Sequence, residues 1–185
     1  MSTLSLAILG LISQGPRSGY DLRKAFATTP MGHFSMSAGA IYPALKRLEE
    51  SGLVRGTVER KRTLRPREVY ALTEEGREAL RSTLLQPIGR DDVIWRMDNL
   101  MLRFAFIGDV CGHEQAIAYL KALATHTESY VRELKGFRAM VVGRGAIYGR
   151  LALQHGLASY AATARWARHA AKELEKAHRE PAAHQ

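Results

Sequence analysis

The sequence predicts a mainly α protein in two parts: a small helical unit closed by one β-hairpin, and a second unit helical almost throughout that ends in a long helix. Three observations carry this. Apolar residues recur at helical spacing along most of the 185 residues. β-prone alternation falls in two short runs, Leu53 to Arg60 and Arg67 to Leu72. The pattern changes at Gln86-Pro87, which divides the chain into residues 1–86 and a C-terminal helical domain of residues 87–185.

Taken in order, Leu4, Ile8, Leu11 and Ile12 repeat at helical spacing behind Ser2 and Thr3 as candidate caps, and Gly15-Pro16 stops the segment. Its apolar character all round predicts a buried helix. Ser18 with Asp21 three residues later makes a capping-box pattern, and Leu22, Ala25 and Phe26 supply an inward stripe before Pro30. In the third segment, Ser37 to Ser51, Ile41, Leu45 and Leu48 share one face, so Gly39, Tyr42, Pro43, Lys46 and Arg47 point the other way. Gly52 ends that segment as a C-cap. Pro43 either kinks a helix begun at Ser37 or opens a shorter regular one. Val54 and Val58, then Val69 and Tyr70, give the two runs strand character, and Thr73 caps a fourth helix with Glu74 and Glu75 in its first turn. Three helices, a hairpin and a helix is the order of a winged helix-turn-helix.

Beyond residue 86, Ile117, Leu120, Ala124, Thr127, Val131 and Leu134 alternate three- and four-residue steps. So do Leu153, Leu157, Tyr160, Ala164, Ala167, Ala171 and Leu174. A helix from Ile147 to Arg179 would be roughly 50 Å long, too long for the core of one small domain. An exposed seam of that length needs a partner, and alanines allow close approach, so this seam is expected to be a homodimer interface. Gly136, Gly143, Gly145 and Gly149 are expected to mark the turn before it.

Lys and Arg number 27 against 18 Asp and Glu, a formal charge of +9, which argues for an anionic partner. The single cysteine, Cys111, forms no intramolecular disulfide and points to the reducing cytoplasm. No apolar stretch approaches the roughly 18–20 residues of a membrane span. The apolar run Leu4 to Ile12 lacks the preceding basic residues and following cleavage pattern of a secretory signal, so a cytoplasmic location is expected.

Between Arg55 and Arg67 stand six basic residues (Arg55, Arg60, Lys61, Arg62, Arg65, Arg67) and one acid, Glu59. On a hairpin tip, Arg60, Lys61, Arg62 and Arg65 can straddle a phosphate backbone or enter a minor groove. The small residues Ser37, Ala38, Gly39 and Ala40 let the start of the third helix approach double-stranded DNA, with Tyr42, Lys46 and Arg47 in reach of phosphates or base edges. The bland alternative is a solvated charged loop beside an ordinary helix; the helix-hairpin order favours DNA.

Gly19-Tyr20-Asp21-Leu22, the stretch from Gly39-Ala40-Ile41-Tyr42-Pro43 to Gly52-Leu53-Val54, and Tyr70-Ala71-Leu72-Thr73-Glu74-Glu75-Gly76 resemble the winged-helix signature of PadR-like transcriptional regulators. The Ile-Tyr-Pro element is the most specific part. The stretch Arg150 to Tyr160, with Trp166 following, is similar to the helical tail of the longer branch of that family, which includes virulence-gene activators. The resemblance implies a dimer held by C-terminal helices, a recognition helix running through Pro43, and a wing that grips DNA. Tyr42, Lys46 and Arg47 would then be recognition-helix contacts and Arg60 to Arg65 wing contacts. The wing departs from the family pattern in having Lys61-Arg62-Thr63-Leu64-Arg65-Pro66 where tip glycines are common.

Trp95, Phe104, Phe106, Phe137 and Trp166 are candidate walls of a pocket for a small aromatic effector, as in PadR-like proteins that respond to phenolic or drug-like molecules; the alternative is core packing. The seven histidines make no metal pattern, and no nucleophile, base or paired-carboxylate arrangement stands out, so neither cofactor nor enzymatic activity is expected. The expected function is a homodimeric repressor on an inverted-repeat operator. The rivals are an activator of the same fold, a winged protein-interaction module, and charge-driven binding to nucleoid or membrane surfaces.

Overall fold

A computed structural model of the chain describes residues 1–29, 38–59, 66–141 and 147–179. It comprises two compact units, Met1–Gln86 and Pro87–Gln185.

The first unit runs α1 (Thr3–Ser13), β1 (Arg17–Ser18), α2 (Gly19–Thr28), α3 (Ala38–Glu50), β2 (Val54–Glu59), β3 (Arg67–Leu72) and α4 (Glu74–Leu84). Ser2 caps α1 by accepting from the Ser5 amide at 3.1 Å. Ser18 and Asp21 form the full capping box of α2: the Ser18 hydroxyl accepts from the Asp21 amide at 3.2 Å, and Asp21 Oδ2 accepts from the Ser18 amide at 3.0 Å. Thr73 Oγ1 accepts from the Gly76 amide at 2.9 Å at the start of α4. At the other end of α3, Gly52 takes φ +74°, and amides 52 and 53 donate to the carbonyls of Glu49 and Leu48, the Schellman pattern that only a left-handed residue closes without strain.

α1 packs against α3, α4 and β3, which explains why Leu6, Ile8, Leu9, Leu11 and Ile12 are all buried. α3 continues through Pro43. A proline beyond the first turn costs about 3 kcal/mol. Ile41, Ala44, Leu45 and Leu48, all buried on the opposite face, outweigh that at about 1.5–3 kcal/mol for each large side chain. The helix therefore does not begin at Pro43. The sheet is antiparallel with order β1-β3-β2. Its hairpin register pairs Val54 with Leu72 and Glu59 with Arg67. β1, only two residues long, is too short to show a sequence period; it pairs Arg17 with Tyr70 and Ser18 with Val69.

The second unit holds α5 (Arg90–Trp95), α6 (Met97–Cys111), α7 (His113–Val141) and α8 (Ile147–Arg179). Gly112, at φ +99°, makes the sharp α6–α7 turn. α7 and α8 form an antiparallel hairpin: His113 Nε2 lies 2.7 Å from the Leu174 carbonyl oxygen, Lys121 pairs with Glu175 at 2.6 Å, and Arg168 grips Glu128. Further along, the Tyr130 and Tyr160 rings meet edge-on at 4.9 Å.

This hairpin corrects two expectations. The α8 seam has its partner in the same chain: Leu157, Ala164, Ala167 and Ala171 are buried without a second molecule, with Leu153, Tyr160 and Leu174 half-buried beside them. The seam spacing was real, but a helix of this length is accommodated by another nearly as long. Gly136 and Gly149 lie inside α7 and α8 and mark no turn, because the packing of a long hairpin outweighs about 1 kcal/mol of glycine cost. Gly143 and Gly145 lie outside the described residues.

Candidate nucleic-acid interface

The two faces of α3 define the candidate interface. With Ile41, Leu45 and Leu48 fixed inward, Tyr42 (51% exposed), Lys46 and Arg47 stand outward, with Gly39 exposed and Ala40 half-buried at the start. Lys46 Nζ lies 3.8 Å from Glu50 Oε1, a solvated one-turn pair that costs little to open. Arg47 has no ion-pair partner among the described residues. Tyr42 is seated by Gly19: a Cβ built there would lie 2.5 Å from the Tyr42 ring, so this side chain packs closely against the first turn of α2.

Ser37 and the wing residues Arg60, Lys61, Arg62 and Arg65 lie outside the described residues. The strands that carry the wing are in place. Arg55 is exposed on β2. Arg67, counted with the wing cations, is committed elsewhere: its Nε donates to Glu59 Oε2 at 2.9 Å, and its Nη1 lies 3.6 Å from Asp21 Oδ2. This side chain ties β2, β3 and α2 together and adds little free positive charge. Hydrogen bonds from Ser18 hold the Asp21 carboxyl below the ordinary carboxylate range, assisted by Arg67 and Arg17 and opposed by partial burial.

Behind Tyr42 lies Tyr70, 7% exposed, its hydroxyl donating to Glu68 Oε2 at 2.7 Å. Burial drives its pKa upward, reinforced by Glu68 and Glu49. The sequence reading missed the outer face of α2, where Tyr20, Arg23 and Lys24 are exposed and the Arg23 guanidinium sits 5.9 Å over the Tyr20 ring. Their spacing of three and four residues was the available signal.

In the second unit, Phe104 and Trp166 meet edge-on at 5.4 Å. The other candidate effector residues are not gathered there: Phe106 is core, while Trp95 is 78% and Phe137 53% exposed. No helix among the described residues is long and apolar enough to cross a membrane.

Comparison with known proteins bears on both units. The transcriptional regulator PadR-like family matches residues 8–82, and the virulence activator alpha C-terminal family matches residues 98–175. The negative transcriptional regulator PadR of Bacillus subtilis is 31% identical over 107 residues, 58% of this chain and 58% of that protein. This chain thus spans just over half of that curated relative, and the match to the transcriptional regulator YqjI of Escherichia coli spans 35% of it. Among solved structures, a PadR-like transcriptional regulator of Bacillus cereus is 33% identical, with 43% of this chain and 75% of that one covered and a TM-score of 0.39. Bacillus subtilis PadR in complex with operator DNA is 24% identical over 94% of this chain and 99% of that one, with a TM-score of 0.43. One family thus matches the winged unit and the other most of the helical unit: residues 8–82 belong to the transcriptional regulator PadR-like family and residues 98–175 to the virulence activator alpha C-terminal family.

Proposed function

We propose that this regulator is a homodimeric repressor that inserts α3 into the major groove of each half of an inverted-repeat operator, with the wings on the flanking backbone. The single observation that carries the reading is the two-sidedness of α3: an apolar face anchored in the core, and an opposite face offering Tyr42, Lys46 and Arg47 to solvent. Two-fold symmetry would set the recognition helices about 34 Å apart, one turn of duplex. The name of the Bacillus subtilis relative supports repression over activation. The reading assigns the protein to the cytoplasm with its target.

The seam of α8 being occupied, the second copy docks on apolar side chains that the helical unit leaves exposed. Phe137, Ile147, Tyr148 and Leu151 cluster in sequence at one end of the α7–α8 hairpin. α5, which carries Trp95, is tied to α7 by Arg90, whose Nη2 pairs with Glu133 Oε2 at 2.8 Å. A small aromatic effector would act through the Phe104 and Trp166 pair, and Trp166 fluorescence in a Trp95→Phe background reads its binding. DNA binding is tested by exchanging Tyr42, Lys46 and Arg47 singly for alanine: each should lower operator affinity, and Tyr42 and Arg47 should also relax sequence preference if they read bases. Operator affinity unchanged in all three would remove α3 from the interface.

A further inference from the structure

We propose that the groove walled by Tyr20, Tyr42 and Tyr70 on the winged unit is a binding site for a small planar organic cation, whose occupancy competes with DNA for Tyr42. The groove has a volume of about 510 Å³, is floored by Ser18 and Gly19, and is closed on the β3 side by Pro66, Arg67 and Glu68. That volume falls within the range of small-molecule sites, about 300–1,000 Å³.

Shape alone does not name the ligand; the charges do. Arg67 is neutralised by Glu59 and Asp21. Glu68 and Glu49 converge at the Tyr70 end: Glu49 Oε1 accepts from the Gly56 amide at 2.9 Å, and Glu68 Oε1 lies 2.9 Å from where a Gly56 Cβ would be. Neither carboxylate has a basic partner among the described residues. Their negative field is felt within the groove, since both raise the pKa of the Tyr70 hydroxyl after burial has done so. On a chain of net charge +9, an aromatic-walled groove bordered by two carboxylates without a basic partner among the described residues is an exception. It disfavours phosphate and suits a cation lying on tyrosine faces. Arg23, held 5.9 Å over Tyr20, shows that this ring already attracts one.

The test uses the full-length protein without DNA, with phenyltrimethylammonium as the probe, benzenesulfonate as the anionic control and ionic strength held constant. The cation should shift the Tyr20 and Tyr42 ring resonances saturably, and the sulfonate should not. Glu68→Gln keeps an acceptor for the Tyr70 hydroxyl while removing the charge, and Tyr20→Leu removes a wall. Each should weaken the cation about fivefold. No saturable shift, equal shifts from the sulfonate, or affinity unchanged in both variants would overturn the site. In a second arm, saturating cation should lower affinity for operator duplex, and unchanged affinity would overturn the competition. The first arm does not depend on the proposed function, so a protein that binds no operator would refute that reading and leave the groove to be judged by its own ring shifts.

Discussion

At the scale of single residues, two glycines carry different kinds of constraint. A Cβ on Gly76 would lie 1.9 Å from the backbone carbonyl oxygen of Leu53, and a backbone atom cannot swing aside. Gly76→Ala should therefore destabilise the winged unit by about 2–3 kcal/mol, read as a lower midpoint in thermal unfolding followed by circular dichroism. At Gly19 the obstacle is the Tyr42 ring, which can move. Gly19→Ala should keep its melting temperature and lose operator affinity. Asp21 gives a pH signature. Its folded pKa lies below the ordinary 3.8, so it contributes stability above that value, and this is lost as pH falls through the depressed one. Asp21→Ala should cost about 1 kcal/mol at neutral pH, as caps do, with the difference from wild type closing at acid pH in urea titrations. A gap that stays constant down to acid pH would show that the cap charge is not involved.

At the scale of elements, legibility followed the length of the repeating pattern. α1, α2, α4 and the hairpin strands could be read because each has its own cap or alternation, and Ser18 with Asp21 behaves as spaced. β1 was invisible because two residues carry no period. The break between α5 and α6 at Arg96, with no proline or glycine to mark it, was missed for a similar reason. The α8 seam shows a deeper limit, since periodicity reveals that a face is covered and not which chain covers it. On α7, the helix that pairs with α8, Thr127 is fully buried, and its hydroxyl has no hydrogen-bond partner among the described residues. An orphaned hydroxyl costs on the order of 1 kcal/mol or more. Thr127→Val, nearly equal in volume, should raise stability by about 1 kcal/mol, and a loss would mean that the hydroxyl is satisfied in solution. Of the candidate interface, α3 was legible from one helical stripe, whereas the commitment of Arg67 to Glu59 and Asp21 depends on strand pairing and the approach of α2, which no local pattern encodes.

At the scale of the whole molecule, the surface that holds the hairpin together is distinct from the one proposed to join two copies. Leu157→Asp puts a charge among buried side chains of α7 and α8 and should lower the melting temperature. Tyr148→Asp with Leu151→Asp alters exposed side chains and should yield folded monomers in sedimentation velocity; a dimer that survives this pair would place the interface elsewhere. In the proposed dimer, two linked half-site contacts would make binding sequence-specific against the charge-driven background of a basic chain. The most direct measurement is fluorescence anisotropy of a duplex enriched by this protein from a random-sequence pool, against its scrambled counterpart, at about 50 and 200 mM salt. The account predicts an inverted repeat in the enriched duplex and a preference for it that persists at the higher salt. It also predicts that Lys61→Ala, Arg62→Ala and Arg65→Ala together weaken binding to both duplexes and flatten the salt dependence. Equal affinity for the two duplexes that collapses with salt would contradict it, leaving only the attraction of a basic protein for any polyanion.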